Sequence, residues 1–152
     1  MRIFHVFRAF VLSAVLTFGS FAVIDATVGP RPVMAQEIDS GAFQSIIRDQ
    51  MNAFQSGDAV RAFSHAAPRL QQQFQTPDVF IQMVKNGYAP VYRPSNVIFG
   101  QSKATPHGPV QEVYVTGPKG QTWRAIYSFE KQPDGTWRIS GCYLTKDPGF
   151  SA

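Results

Sequence analysis

The sequence predicts an α+β fold, with N-terminal helices packed on a curved antiparallel sheet. Three observations lead there. Apolar residues recur at helical spacing between Phe43 and Val84. From Val97 onward, apolar and polar residues alternate with the period of a strand. Two turn signatures, Gly117-Pro118-Lys119-Gly120-Gln121 and Pro133-Asp134-Gly135, fall where those alternating segments must reverse.

The chain opens with a segment that reads as a cleavable secretory signal, residues 1–35. Arg2 and Arg8 form a positive start, Ala9 to Ile24 is an apolar run, and Val33-Met34-Ala35 is a small-residue cleavage site. The run falls short of the roughly 18 or more residues expected of a spanning helix, which favours cleavage over a membrane anchor. Export, to the periplasm or beyond the cell, is therefore expected, and any membrane contact would pass through the uncleaved signal alone. Residues 36–152 then form one domain, large enough for a single core.

Along that domain, Asp39 or Ser40 can cap a first helix bearing Phe43, Ile46, Ile47, Gln50 and Phe54, and Gly57 can end it. Asp58 caps a second helix with Val60, Phe63 and Ala67, which Pro68 stops. A short turn with Leu70 and Phe74 follows. Thr76-Pro77-Asp78 starts a further helix with a cap, a proline at the first position and an acid in the first turn; Val79, Phe80, Met83 and Val84 line its apolar side and Asn86-Gly87 closes it. The prolines of Tyr88-Ala89-Pro90-Val91-Tyr92-Arg93-Pro94 predict an extended connection. A strand at Val97-Ile98-Phe99, a loop from Lys103 to Pro109 and a strand from Val110 to Thr116 come next.

The two turns fix registers. With Gly120 in the left-handed position, Gly117 faces Gln121, Val115 faces Trp123, Val113 faces Ala125 and Gln111 faces Tyr127. On the other face Tyr114 meets Arg124, a pairing suited to a cation–π contact. The loop Pro133-Asp134-Gly135 pairs Lys131 with Trp137, Phe129 with Ile139, Tyr127 with Gly141 and Ala125 with Tyr143 on the inner face. Glu130 with Arg138, Ser128 with Ser140 and Ile126 with Cys142 then lie outside, the first as an opposite-charge pair.

Charge and cysteine content exclude several function classes. Removing the net +2 of Arg2, Arg8, Arg31 and Asp25 from the chain's +4 leaves +2 on the mature part, without a basic run, so nucleic acid is not an expected partner. The single cysteine, Cys142, forbids an intramolecular disulfide and a cysteine-built metal site. No His, Asp or Glu cluster has ligand spacing, and no phosphate loop or nucleophile elbow is present, so no metal, cofactor or catalytic residue is expected.

The motifs GYAPVYRP (Gly87 to Pro94), PVQEV (Pro109 to Val113) and QPDGTWRISGC (Gln132 to Cys142) resemble those of a family of small, uncharacterised bacterial proteins, the DUF4864 type. Helices followed by an antiparallel meander are similar to the cone-shaped NTF2-like (SnoaL-like) architecture. The resemblance implies a cone-shaped domain and brings no catalytic residues with it. Superfamily members divide among enzymes, ligand binders and interaction modules, so the fold leaves function open. An enzyme of this shape would need a carboxylate or histidine inside, and each here has another address. Glu112 and Glu130 fall on the outer face. Asp39, Asp58 and Asp78 belong to helix starts and Asp134 to a turn. Asp49 and His65 sit off the apolar sides of their helices, His107 is in a loop, and Glu37 and Asp147 are near the ends.

The inner face holds polar groups of another kind. Gln111, Tyr127 and Tyr143 share it, with Trp123 near a strand end and Gly141 removing a side chain opposite Tyr127. These residues either fill core or line a small apolar pocket with a few hydroxyls. Tyr88, Tyr92 and Arg93 would form the mouth of such a pocket, or else make a stiff connection covering the sheet edge. The reading that results is an exported, non-enzymatic domain binding a small molecule or a protein of the cell envelope. The alternative is an interaction module using an outer sheet face with Tyr114, Arg124, Ile126 and Leu144, and a homodimer is compatible with it. An isomerase or hydratase comes third.

Overall fold

The computed structural model describes residues 38–147. The signal segment and its cleavage site, with Glu37, lie outside the described residues. Asp39 starts α1 (Ser40–Ser56) by accepting a hydrogen bond from the Ala42 amide at 2.9 Å, and Gly57 ends it at φ 74°. Asp58 caps α2 (Ala59–Ser64) through the Arg61 amide in the same way. Pro68 does more than stop α2: it begins α3 (Pro68–Phe74), because a proline's fixed φ and missing N–H suit a first helical turn. Thr76 caps α4 (Pro77–Gly87). The connection after it is not extended. Pro90 again sits in a first turn, and Ala89–Tyr92 forms the single-turn helix α5.

The helices bury a narrower stripe than the spacing suggested. Phe43, Ile47, Met51 and Phe54 of α1, Phe63 of α2, and Phe80, Ile81 and Val84 of α4 enter the core. Val60 and Val79 do not; they are 70% and 53% exposed.

Four strands follow in sequence order as an antiparallel meander: β1 (Asn96–Thr105), β2 (Gly108–Thr116), β3 (Thr122–Lys131) and β4 (Trp137–Lys146). The expected loop from Lys103 to Pro109 shrinks to Pro106-His107, since β1 and β2 remain paired out to Thr105 opposite Gly108. A bulge interrupts β1 between Phe99 and Ser102. The β2–β3 register is as the turn dictates, with Gln111 opposite Tyr127, Val113 opposite Ala125 and Val115 opposite Trp123.

The β3–β4 register holds from Lys131–Trp137 to Phe129–Ile139 and then shifts by one residue at a second bulge. Ser128 pairs with Gly141 instead of Ser140, Tyr127 with Cys142, Ile126 with Tyr143 and Ala125 with Leu144. Every β4 side chain beyond the bulge therefore exchanges faces relative to that expectation, while β3 keeps Tyr127 and Ala125 inside. Tyr143 turns outward and is 68% exposed, whereas Cys142 and Leu144 pack against the core. On the outer face the expected pairings of Glu130 with Arg138 and Tyr114 with Arg124 hold, but their charged side chains reach other partners. Arg138 stands opposite Glu130 but donates to the Ser64 carbonyl, and Glu130 accepts from Gln132 Nε2 at 3.0 Å. Arg124 reaches the Glu112 carboxylate at 3.6 Å.

The core lies between the inner sheet face and α1, α2 and α4. Two contacts tie the layers together. Phe43 stacks on Phe129, with centroids 4.3 Å apart, and meets the edge of Trp137 at 5.1 Å. The segment joining α2 to α3 adds main-chain bonds to β4, from Ala67 N to Ile139 O at 2.8 Å and from Ile139 N to His65 O at 2.9 Å. Asp49 clamps α1 to α2 by accepting from Arg61 and lying 2.5 Å from His65 Nε2, and the Arg61 guanidinium, then the His65 ring, holds its carboxyl below the usual carboxylate range.

Candidate functional site

A cavity of about 220 Å³ opens between α3, α4, α5 and the bulged end of β4. Each wall follows from a local feature of the sequence. Helical spacing on α4 supplies Phe80, Met83 and Val84, and α1 supplies Phe54 and Gln50. Pro68, by starting α3, brings Leu70 and Phe74 to one rim. The turn at Pro90 swings Tyr88 and Val91 over the other side. The floor is Tyr127 and Ile139, with Gly141 and Cys142 at the bulge. None of the lining residues carries a charge.

The polar groups in this wall are few. Tyr127 is 1% exposed, and its hydroxyl makes no hydrogen bond among the described residues. The Cys142 thiol is its polar neighbour, but the two do not reach hydrogen-bond geometry. Burial raises the Tyr127 hydroxyl well above the usual tyrosine range, and the thiol beside it adds to the effect. Burial likewise pushes the Cys142 thiol up to about 12, although the residue as a whole is only half-buried. At neutral pH both groups are protonated and neutral. Tyr88 donates its hydroxyl proton to the Cys142 carbonyl at 3.1 Å and is itself raised by burial. Gln50 donates from Nε2 to the Ala62 carbonyl at 3.1 Å, so its amide oxygen is the end left over.

The structure brings together Tyr88, Tyr127 and Gly141 from the residues expected at a pocket. Gly141 arrives differently from expectation: the bulge places it opposite Ser128, and a Cβ there would meet Ser128 Oγ at 3.0 Å instead of facing Tyr127. Cys142 takes the position across from Tyr127. Tyr143 is on the outer face. Tyr92 packs against Phe54 at 5.9 Å and Arg93 lies exposed with its guanidinium 5.6 Å from the Tyr92 ring, and neither lines the cavity. Trp123 stays near a strand end with the Lys146 ammonium 5.7 Å from its ring.

Gln111 is fully buried but serves the β1 bulge. Its Nε2 donates to the carbonyls of Gly100 at 3.0 Å and Glu112 at 2.8 Å, and its Oε1 accepts from Ser102 Oγ at 2.5 Å. Gln111→Leu should destabilise the protein by about 1–3 kcal/mol, because buried main-chain carbonyls lose their donor. Urea unfolding measures this, and a loss below about 0.5 kcal/mol would mean that the bulge rearranges without its staple.

Sequence reasoning missed Leu70, Phe74, Met83 and Cys142 as pocket residues. Met83 is expected on an apolar helix side, whereas Leu70 and Phe74 are expected in a short turn that is in fact α3, and the convergence of the three depends on helix packing that no local spacing encodes. Cys142 was placed outside by a register that lacked the bulge.

The family model described as "Domain of unknown function (DUF4864)" matches residues 36–152. No curated protein and no solved structure matches the chain.

Proposed function

The chain belongs to the DUF4864 family, and we propose that it is an exported, non-enzymatic domain of NTF2-like architecture that binds a small molecule in the cavity between its helices and sheet. One observation carries the reading: an uncharged, largely apolar cavity of about 220 Å³ contains a fully buried phenol without a protein partner. Pockets for small molecules are concave and apolar with a few placed polar groups. The non-enzymatic part is supported by what the wall contains. No carboxylate or histidine lines it, and a thiol pushed up to about 12 is a poor nucleophile at neutral pH. Helices preceding an antiparallel meander support the NTF2-like assignment, and the residues before Gln36 support export.

A second reading, an interaction module, is favoured by the outer sheet face. Ile98 is 57% exposed and Tyr143 68% exposed there. Leu144 is no longer part of that face, and Tyr143 takes its place.

Toluene separates the two. On titration it should shift the methyl resonances of Leu70, Met83, Val84 and Val91 in NMR spectra. Val84→Phe, which fills the cavity, should weaken toluene binding at least about tenfold while leaving the melting temperature unchanged or higher. Shifts confined to Ile98 and Ile126 would overturn the pocket in favour of the outer face.

A further inference from the structure

We propose that the ligand of this cavity is an uncharged molecule about one ring in size that presents a hydrogen-bond acceptor to the Tyr127 hydroxyl. This inference rests on the ligand-binding reading above and narrows it.

Neutrality follows from the lining. A carboxylate, phosphate or ammonium entering the cavity would leave water and meet no counter-charge, since no Asp, Glu, Lys, Arg or His lines the wall. An unpaired charge in apolar surroundings is among the most unfavourable groups to bury.

The acceptor follows from the hydrogen-bond inventory. A tyrosine hydroxyl offers one donor and an acceptor, and an amide offers donors on nitrogen and an acceptor on oxygen. The Tyr88 proton already goes to the Cys142 carbonyl, the Gln50 nitrogen already goes to the Ala62 carbonyl, and the amide of Gln73, also in the wall, is exposed to water. Tyr127 keeps an uncommitted O–H, buried beside Cys142 in the cavity floor. A hydroxyl left this way is unfavourable to fold around, and a ligand carbonyl or ether oxygen relieves it.

Size follows from volume and wall chemistry. An engineered apolar cavity of roughly 150 Å³ holds benzene, so about 220 Å³ accommodates one ring with a short substituent. Phe54, Phe74 and Phe80 supply aromatic faces and edges, and Met83 supplies an adaptable thioether, which suits a flat ring.

The test uses four probes of matched shape, acetophenone, ethylbenzene, benzoate and benzylammonium, titrated calorimetrically into the protein purified from the cells that produce it. Acetophenone should bind about 3- to 10-fold more tightly than ethylbenzene, the range of one net hydrogen bond. Benzoate and benzylammonium should bind more weakly than either. Tyr127→Phe removes one oxygen and should abolish the preference for acetophenone while leaving ethylbenzene affinity within about twofold; its melting temperature should not fall, because the hydroxyl it lacks had no partner. Tighter binding of benzoate or benzylammonium, or an equal loss of both neutral probes in Tyr127→Phe, would overturn the ligand class and leave the pocket standing. Failure of all four probes to bind would overturn the pocket itself and this inference with it.

Discussion

Phe43→Ala should destabilise the protein by about 3–5 kcal/mol, the usual range for removing a buried aromatic side chain. Phe43 is fully buried at the junction of both layers, stacked on Phe129 of β3 and against the edge of Trp137 of β4. The contact joins an early helix to the last hairpin, so no local interaction replaces it. Aromatic pairs add about 0.5–1.5 kcal/mol beyond the area they bury, and two such pairs are lost together. Domains of this size have only about 5–15 kcal/mol of stability in total, and the variant should lie close to its unfolding transition at physiological temperature. Phe43→Leu keeps most of the volume and should lose much less. Equilibrium urea unfolding of both variants checks this. A loss below about 1 kcal/mol for Phe43→Ala would show that α1 is held by its other contacts, chiefly Ile47 and Phe54.

How far the sequence reveals this fold depends on how many independent signals agree at each position. Around Gly117 to Gln121 the turn chemistry and the alternation of Val113, Val115, Trp123 and Ala125 point to one register, and the sheet adopts it. The tip at Pro133-Asp134-Gly135 is equally constrained, and Phe129 meets Ile139 as the turn requires. Past Ile139 the signals separate. Gly141 has no side chain to declare a face, Ser128 and Ser140 fit either, and Tyr143 and Leu144 are both apolar enough for the core. The extra residue at Ser140-Gly141 then costs little, and the apolar series becomes Ile139, Cys142, Leu144. Prolines misled in a different way. Pro68 and Pro90 read as breaks, yet each occupies a first helical turn, where the missing N–H has no intrahelical partner to lose.

The cavity was legible only in part, for a related reason. Tyr127 could be placed inside because β2 and β3 fix its register, and Tyr88 could be placed near it because Pro90 follows closely. The remaining walls come from α1, α3 and α4, whose apolar stripes say that they pack on something but not where the packing leaves a gap. Gln111 shows the opposite error: a buried amide on the inner face looked like a ligand contact, while its hydrogen bonds go to Gly100 and Ser102 at the β1 bulge and to the neighbouring Glu112 carbonyl of β2.

Gly108→Ala should cost on the order of 2–5 kcal/mol, from two separate sources. The residue has φ 106°, a conformation that side chains of L residues rarely adopt. A Cβ there would also lie 2.8 Å from the Phe129 carbonyl oxygen, a main-chain atom of β3 that cannot rotate away. Gly120→Ala samples positive-φ strain without a clash, since Gly120 has φ 76° and nothing within 4 Å of its Cβ position. The difference between the two variants therefore reports the clash together with the extra strain of φ 106° over φ 76°. Its consequence reaches the core, because Phe129 carries the ring stacked on Phe43 and stands next to the β3–β4 bulge. Relief of the clash must move either the start of β2 or β3 at that point. Thermal unfolding of the two variants decides the matter: equal losses would show that β2 can shift away from Phe129 freely, and a larger loss in Gly108→Ala would show that the close approach of the two backbones holds the sheet in its observed register.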